Sequence, residues 1–370
     1  MHRHDLEGQS LAVRQRGLTM VELLVAMVIS LLIALAAIAA LTVSRQGFAT
    51  VDAASQLRDN GRFAADLIQR LGVQSGYKDA QYTAQWATQQ YSATNPEPSI
   101  MGANNALSTV VTGSTAPYNS STARAAGSLG YGSDILYLRN QLVQLNVNST
   151  AADGSMIDCM GTAPTAGAAP TARNDVIVNI LHVAESPVGS GELALMCTSV
   201  TGNGTVINPR QPIVQGVENF QVLYGVQGVT ANAPTAAASA VYGLNASAPA
   251  PASSAAWQVW NGNVDQEPDT YLRADEMTVA GNTAATYDNW RRVRSLRIGL
   301  ILRGPAHSAQ NAVAQTLYPF GQAKSSSTGT PGSAFADSAN DPGTSFDAPA
   351  DGRLRQVVTF TVHVRNSQIL

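Results

Sequence analysis

Charged and aromatic side chains are scarce in this chain of 370 residues. Asp, Glu, Lys and Arg together make up 13% of the sequence, the aromatic residues make up 6%, and the formal net charge is −3. A general nucleic-acid binder usually carries a basic excess, so this balance argues against nucleic acid as the partner. Small residues are abundant instead, which favours a loop-rich, β-rich exported protein over a compact cytosolic enzyme. The length allows one large domain or two small ones.

Sequence signatures of catalysis are also missing. The sequence contains no H-E-x-x-H, paired C-x-x-C, G-x-S-x-G or phosphate-loop pattern. The five histidines do not form a cluster. His2 and His4 lie at the start of the chain, and we expect His182, His307 and His363 to be solvated surface residues. The sequence therefore predicts a protein that is not an enzyme.

Cysteine occurs only twice, at Cys159 and Cys197. In an exported domain the compartment oxidises thiols, and we then expect these two residues to form a disulfide. The bridge would close a loop of about 40 residues and stabilise the fold by roughly 3–4 kcal/mol in the chain-entropy model. In a cytosolic protein the same two residues would be buried thiols.

One polar segment is a weak candidate for a metal site. Oxygen-bearing side chains alternate at Asn261, Asn263 and Asp265, as at the start of a calcium loop. Gln266 and Leu272 stand where such a loop needs Gly and Glu, so we interpret the segment as a polar loop and expect no metal or other cofactor. Calcium at these three residues is the weaker alternative.

A short basic run, WRRVRSLR, occupies residues 290–297. Contact with DNA is one interpretation of such a run. A strand with its arginines on the solvated face is the favoured one.

A long apolar run begins near the N-terminus. From Leu23 to Leu41 no residue is charged, and a helix of this length crosses about 30 Å of hydrocarbon. Arg14 and Arg16 precede the run, which predicts a cytoplasmic N-terminus and an exported C-terminal part. A cleaved secretory signal or a plain signal anchor would contain a similar run. Neither explains Glu22, because a carboxylate in lipid is costly unless it stays wet at the interface or meets a partner.

The residues around Glu22 resemble a processing signal. The stretch RGLTMVELLVA (16–26) is similar to the prepilin signature of type IV pilins and type II secretion pseudopilins. The resemblance implies that prepilin peptidase cuts after Gly17 and that the new N-terminus at Leu18 is methylated. It also implies that Glu22, the fifth mature residue, meets the N-terminal amine of a neighbouring subunit and sets the register of assembly. Leu18 departs from the family, which usually has Phe at this position.

The helical pattern continues beyond the apolar run. Apolar or small residues recur at steps of three and four, which predicts an amphipathic helix that ends near residue 71. We expect this face to pack on the protein's own sheet, with a short coiled coil as the alternative. The members of the face are Ala54, Leu57, Gly61, Ala64, Ile68 and Leu71.

Further segments resemble a narrower group within this family. The stretch DNGRFA (59–64), followed by Gly76 and Tyr77, resembles a segment of PilW-type minor pilins. Three later islands resemble the same sequences, and we interpret them as strands of a sheet and not as a binding site. They are VENFQVLYGV (217–226), VRSLRIGLILRG (293–304) and RQVVTFTVHVRN (355–366).

Alternating or continuous apolar residues predict strands after the helix. The predicted strand regions are 135–147, 176–183, 193–200, 219–226 (half-buried), 296–302 (central) and 358–365. Residues 82–130 contain few long apolar runs. The stretches 228–256 and 321–352 are rich in small and polar residues and are predicted to be exposed loops.

Together these features predict an α+β fold of the pilin type. A long N-terminal helix, half for the membrane and half amphipathic, packs on a C-terminal antiparallel β-rich globular domain with long loops. The predicted segments are a leader peptide over 1–17, a transmembrane and assembly half-helix over 18–43, an amphipathic half-helix over 44–76 and an exported globular domain over 77–370.

The resemblance implies a type IV pilus minor pilin that joins other minor pilins in a complex that primes pilus assembly or lies at the tip. The chain would cross the inner membrane once, keep its globular domain in the periplasm and enter the pilus. The expected partners are other minor pilins, the pilus assembly machinery and prepilin peptidase. The alternatives are a larger pseudopilin of a type II secretion system, and a membrane-anchored exported binding protein or enzyme.

Overall fold

The computed structural model describes most of the chain in separate stretches. Contacts between residues divide the chain into two units, residues 1–51 and 52–370. The described residues are 17, 19–79, 97–110, 117–146, 149, 151–164, 176–202, 204–234, 267–309, 311–321 and 341–366.

The first unit contains the start of a long helix, α1 (Met20–Gln74). Its few hydroxyl groups donate hydrogen bonds to carbonyls of the same helix, Ser30 to Ala26 and Thr42 to Ala39. A hydrocarbon environment offers no other partner to a hydroxyl group, so these internal bonds suit a helix surrounded by lipid.

Antiparallel strands dominate the described part of the second unit. A 3-10 helix (Asp275–Met277) and a short helix, α2 (Thr283–Arg291), lie between β9 and β10. The strands are β1 (Ile100–Ala103), β2 (Ala106–Ser108), β3 (Ser121–Ala123), β4 (Ile135–Asn140), β5 (Ile177–Glu185), β6 (Leu193–Thr201), β7 (Val206–Gln215), β8 (Val217–Val226), β9 (Thr270–Leu272), β10 (Val293–Arg303), β11 (Gln315–Leu317), β12 (Phe346–Ala348) and β13 (Arg355–His363).

The strands form two main sheets in which every neighbouring pair is antiparallel. A five-stranded sheet has the order β1-β4-β5-β6-β7, and a four-stranded sheet has the order β13-β10-β8-β9. Two small pairs, β2 with β3 and β11 with β12, complete the described sheets. One apolar core joins both main sheets with the second half of α1. The predicted α+β class, with an antiparallel β-rich C-terminal domain, is therefore confirmed.

The three late sequence islands lie side by side in the four-stranded sheet, as β8, β10 and β13. Strand β10 is central, as predicted, because Leu300 pairs with Phe220 on one side and with Val358 on the other. The prediction that the region 219–226 is half-buried was wrong, since every residue of β8 is buried. The polar face of β8 is covered by chain segments: the amide of Gln221 donates to the carbonyls of Gly132 and Pro342.

Two glycines let α1 approach β13 closely. A Cβ atom on Gly61 would lie 2.8 Å from Val358 Cγ2, and one on Gly72 would lie 2.6 Å from Val362 Cγ1. The predicted packing of the helix on the protein's own sheet is thus confirmed. The buried stripe contains Ala53 in place of the predicted Ala54 and includes Gly72 as well, and the helix runs on to residue 74, three residues past the predicted end. The buried residues are Ala53, Leu57, Gly61, Ala64, Ile68, Leu71 and Gly72.

A disulfide joins Cys159 to Cys197 in β6, with their Cα atoms 6.0 Å apart and a sequence separation of 38. The segment that contains Cys159 is held further by Asn179 of β5, whose side-chain oxygen accepts a 2.8 Å hydrogen bond from the Cys159 amide. The predicted bridge is present, and it attaches this segment to the five-stranded sheet.

Some predicted boundaries and loops were wrong. Strand β4 ends at Asn140, whereas the predicted region ran to 147. For residues 82–130 the sequence analysis named no strand, but their described part contains β1, β2 and β3. The predicted exposed loop 321–352 buries Asp341 and Thr344 and contains β12. Residues 235–256 of the other predicted loop lie outside the described part of the chain.

Two predictions of surface exposure were also wrong. His182 is fully buried, because it lies in the middle of β5 between Ile135 of β4 and Met196 of β6. Burial lowers the pKa of its imidazole to about 3, and the positive charges of Arg210 and Arg124 act in the same direction. His307 and His363 are exposed, as predicted.

The arginines of the basic run do not lie on a solvated face. Arg292 is 2% exposed and Arg294 5% exposed. Arg294 donates to the side chain of Gln227, and Arg292 approaches the Gly228 carbonyl. Because these two arginines are buried and bonded within the domain, the run presents little positive charge to DNA.

Candidate processing and assembly site

Thr19 caps the N-terminus of α1. Its hydroxyl accepts a hydrogen bond of 3.3 Å from the Glu22 amide, and its carbonyl accepts one of 3.2 Å from the Leu23 amide. Side-chain capping of this kind satisfies one of the amides that a helix start leaves without a partner. The pair Thr19 and Glu22 has the spacing of a capping box. Our sequence analysis missed this signal, although a threonine three residues before a glutamate, at the start of an apolar run, is visible in the sequence.

The Glu22 carboxylate lies in the first turn of α1, where the helix dipole favours negative charge. It is exposed, and within the described residues it accepts one long hydrogen bond, of 3.5 Å from the Thr19 hydroxyl. A carboxylate has about four acceptor positions. Glu22 can therefore accept further donors, including a cation from outside the chain.

Gly17 lies three residues before the start of α1. A Cβ atom at this position would meet nothing within 4 Å. The described part of the chain therefore leaves room for a side chain at this position. Leu18, the residue predicted to be methylated, lies outside the described residues.

The apolar part of α1 exposes its side chains all round. Helix α1 is long enough and apolar enough to cross a membrane, and none of its apolar window is buried inside the protein. Large side chains such as Leu24, Ile29 and Leu35 are more than half exposed. An apolar surface of this size needs lipid or other protein subunits to cover it.

The metal candidates of the sequence lie elsewhere. Asn261, Asn263 and Asp265 are outside the described part of the chain. Among the residues that the structure does describe, no group of three or more His, Cys, Asp or Glu side chains is arranged to hold a metal ion.

Comparisons with known proteins identify two parts of this chain. Residues 13–38, which include Gly17 and Glu22, match the prokaryotic N-terminal methylation motif. Residues 180–366, half of the chain, match the family described as type IV pilus-assembly protein W. This second match contains the three strands β8, β10 and β13 that adjoin in the four-stranded sheet.

The comparisons with solved structures and with curated proteins give weaker evidence than the two family matches. One solved structure similar to this chain is a type IV-like pilin from Thermus thermophilus, with 14% sequence identity, coverage of 84% of this chain and 96% of that chain, and a TM-score of 0.38. No curated protein matches the chain.

The two family matches fall on two separate features of the structure. One is the start of the capped apolar helix, with Glu22 in its first turn, and the other is the antiparallel sheet of the second unit. The family also implies a protein that works with other pilins and with the machinery that assembles them. The chain belongs to the type IV pilus-assembly protein W family and is a type IV pilus minor pilin.

Proposed function

We propose that this minor pilin joins other minor pilins in a small complex that primes pilus assembly or lies at the pilus tip. The observation that carries the proposal is Glu22, a single exposed carboxylate in the first turn of a helix whose apolar surface is otherwise uncovered. Such a helix is stable in a membrane and can pass from lipid into a bundle of similar helices, because both environments cover apolar side chains.

The charge of Glu22 acquires a partner through processing. Prepilin peptidase cuts after Gly17, the new amine of Leu18 is methylated, and Leu18 and Glu22 are then the first and fifth residues of the mature chain. The amine of a neighbouring subunit meets the Glu22 carboxylate. A buried pair of this kind tolerates only one register, because removal of one partner leaves an unpaired charge that costs about 3–5 kcal/mol.

The arrangement in the membrane follows from the same segment. The leader over 1–17 faces the cytoplasm with its arginines, residues 18–43 cross the inner membrane, and residues 44–76 form the amphipathic half of the helix. Residues 77–370 form the periplasmic globular domain. Positive residues before a membrane helix favour this orientation.

The function of the globular domain is contact with other minor pilins and not catalysis. The family is one of pilus assembly, and this favours the pilus over the type II secretion system and over an anchored enzyme.

The test uses cells that lack the native gene and make either wild-type chain or Glu22→Gln. We expect Glu22→Gln to be cut and methylated normally but to reduce the number of surface pili at least tenfold, because the amide cannot pair with the amine of a neighbour. Ser30→Ala, a change at another polar position of the same helix, is the matched control and should leave the pili unchanged. Wild-type numbers of pili with Glu22→Gln would contradict the proposed role of Glu22.

A further inference from the structure

Four charges form a stripe on the face of α1 that points away from the sheet. Asp59, Arg62, Asp66 and Arg70 are all exposed and alternate in sign at steps of three, four and four residues. Residues at these spacings share one side of a helix. The opposite side carries the buried residues that contact the sheet.

These charges have no ion-pair partner in the described part of the chain. Asp66 and Arg70 have the spacing at which helical side chains commonly pair, yet they do not approach within ion-pair distance. The protein forms ion pairs readily elsewhere, as Arg303 and Arg355 do with Glu218. The stripe is therefore free to meet charges from another molecule.

An apolar groove lies beside the stripe. It has a volume of about 370 Å³ and runs between α1, the segment 157–161 and strand β7. Phe63 stands at its edge and is 54% exposed, which is unusual for an aromatic side chain on a folded domain. We call this surface the Phe63 groove. Its apolar lining comes from Phe63, Leu67, Ile157, Met160 and Ile213, with Asp66 and Arg70 at the rim.

The wall of the Phe63 groove is held in place before any partner arrives. The disulfide of Cys159 attaches the segment to β6. The buried Asp158 carboxylate accepts hydrogen bonds from the amides of Met160 and Thr162. At the other side, the Ile157 amide donates to the side chain of Gln74 at the end of α1. A groove fixed in this way loses little conformational entropy on binding.

We propose that the Phe63 groove receives the polar half of the helix of a different pilin subunit. The inference rests on the proposed function. The incoming helix places an apolar side chain in the groove, and it presents a base to Asp66 and an acid to Arg70. An exposed aromatic anchor surrounded by charges has the composition of an energetic centre of a protein interface.

The spacing of the stripe selects a helix as the partner. Successive charges of the stripe are about 4.5–6 Å apart along the axis, since a helix rises about 1.5 Å per residue. A second helix lying alongside has the same repeat and can match all four charges. A strand repeats about every 6.7 Å on one face and falls out of step over the same length. A shift of the partner by one helical turn would place like charges together, so the stripe also selects one axial register.

Photocrosslinking in cells tests the surface. A photoreactive phenylalanine analogue replaces Phe63 in the full chain, and in a control chain it replaces Val188, an exposed apolar residue in the turn after β5. We expect position 63 to crosslink to a peptide from the polar helix half of another pilin subunit, with at least tenfold higher yield than position 188. Crosslinks to a second copy of this chain, to a strand or loop, or to nothing would overturn the proposal.

A second experiment tests the groove and the charges separately. The photoreactive residue is placed at the exposed Gln69, and the crosslink yield is compared with and without Phe63→Ala or Asp66→Lys. We expect each change to lower the yield at least fivefold, while Asp66→Glu keeps it. Since both side chains are exposed, the unfolding midpoint should stay unchanged, which separates lost docking from misfolding. Unchanged yields with Phe63→Ala and Asp66→Lys would overturn the proposal.

The experiments distinguish an error in the proposed docking surface from an error in the proposed function. If pili depend on Glu22 but position 63 gives no helix crosslink, the docking surface alone is wrong. If the crosslink forms but cells without this chain make normal pili, the role in priming assembly is wrong.

Discussion

Gly61 on α1 lies so close to Val358 on β13 that a methyl group on its Cα would come within 2.8 Å of the valine Cγ2 and 3.2 Å of Leu302 Cδ1. A side chain with two branches at Cβ cannot move away without a change of rotamer or backbone. The glycine therefore sets the distance between the amphipathic helix and the four-stranded sheet.

Gly61→Ala is expected to destabilise the protein by about 1–3 kcal/mol, in spite of the better helix propensity of alanine, because overpacking outweighs a gain of about 1 kcal/mol. Urea unfolding of the full chain in detergent measures the change. Gly47→Ala is the matched control on the same helix, since a Cβ atom there meets nothing within 4 Å. A Gly61→Ala protein as stable as the Gly47→Ala protein would contradict the close packing.

The disulfide should contribute substantially to the stability of the second unit. Replacement of Cys159 and Cys197 together by alanine is expected to lower the free energy of unfolding by roughly 3–4 kcal/mol, because the bridge closes a long loop in the unfolded chain. Urea unfolding of wild type under non-reducing conditions gives the reference. A loss below about 1 kcal/mol would show that the loop is already restricted without the bridge.

His182 should make the protein sensitive to acid. Burial lowers its pKa to about 3 in the folded state, whereas an unfolded histidine titrates near about 6.5. The unfolded chain therefore binds the proton first, and stability falls as the pH drops from about 6.5 toward 3, by up to about 1.4 kcal/mol per pH unit.

The variant His182→Leu removes this titration. Its free energy of unfolding between pH 7 and pH 4 should change less steeply with pH than that of wild type. Equal slopes for the two proteins would mean that His182 is protonated in the folded state and is not held neutral.

Asp341 should act in the opposite direction. Burial raises the pKa of its carboxyl to about 7, although the positive charge of Arg273 and a hydrogen bond from the side chain of Asn104 act to lower it. An unfolded aspartate loses its proton near about pH 3.9, so this group's contribution to stability is lost as the pH rises from about 4 to 7. Asp341→Asn should therefore stabilise the protein at pH 8 by about 1–4 kcal/mol relative to its effect at pH 4. The same change in stability at both pH values would contradict the raised pKa.

Local patterns in the sequence predicted those elements whose structure does not depend on distant parts of the chain. Strand β13 alternates along its length, and residues 296–302 of β10 are nearly all apolar; both segments are strands, and β10 has the predicted central position. The helix stripe shows the same agreement, because a step of three and four residues depends on the helix alone. The methylation motif, with Gly17 and Glu22, is also a local signal.

Other features depend on residues far away in sequence. Strand β7 contains Pro209 and Pro212, which argue against a strand, but it lies at the edge of its sheet, where a missing amide is tolerated. In the sequence, His182 is a polar residue in a short apolar segment. It is buried only because β4 and β6 pair with β5 on either side. The Phe63 groove likewise forms only when the disulfide segment lies against α1.

The most direct measurement is the N-terminal residue of the membrane-extracted protein, determined by mass spectrometry in cells with and without prepilin peptidase. We expect a mature chain that begins with methylated Leu18, and only in cells that contain the peptidase. That result places an amine four residues from Glu22 and supports the role of this carboxylate in assembly. A chain that still begins at Met1 in the presence of the peptidase, or one cut near Ala40, would contradict the account.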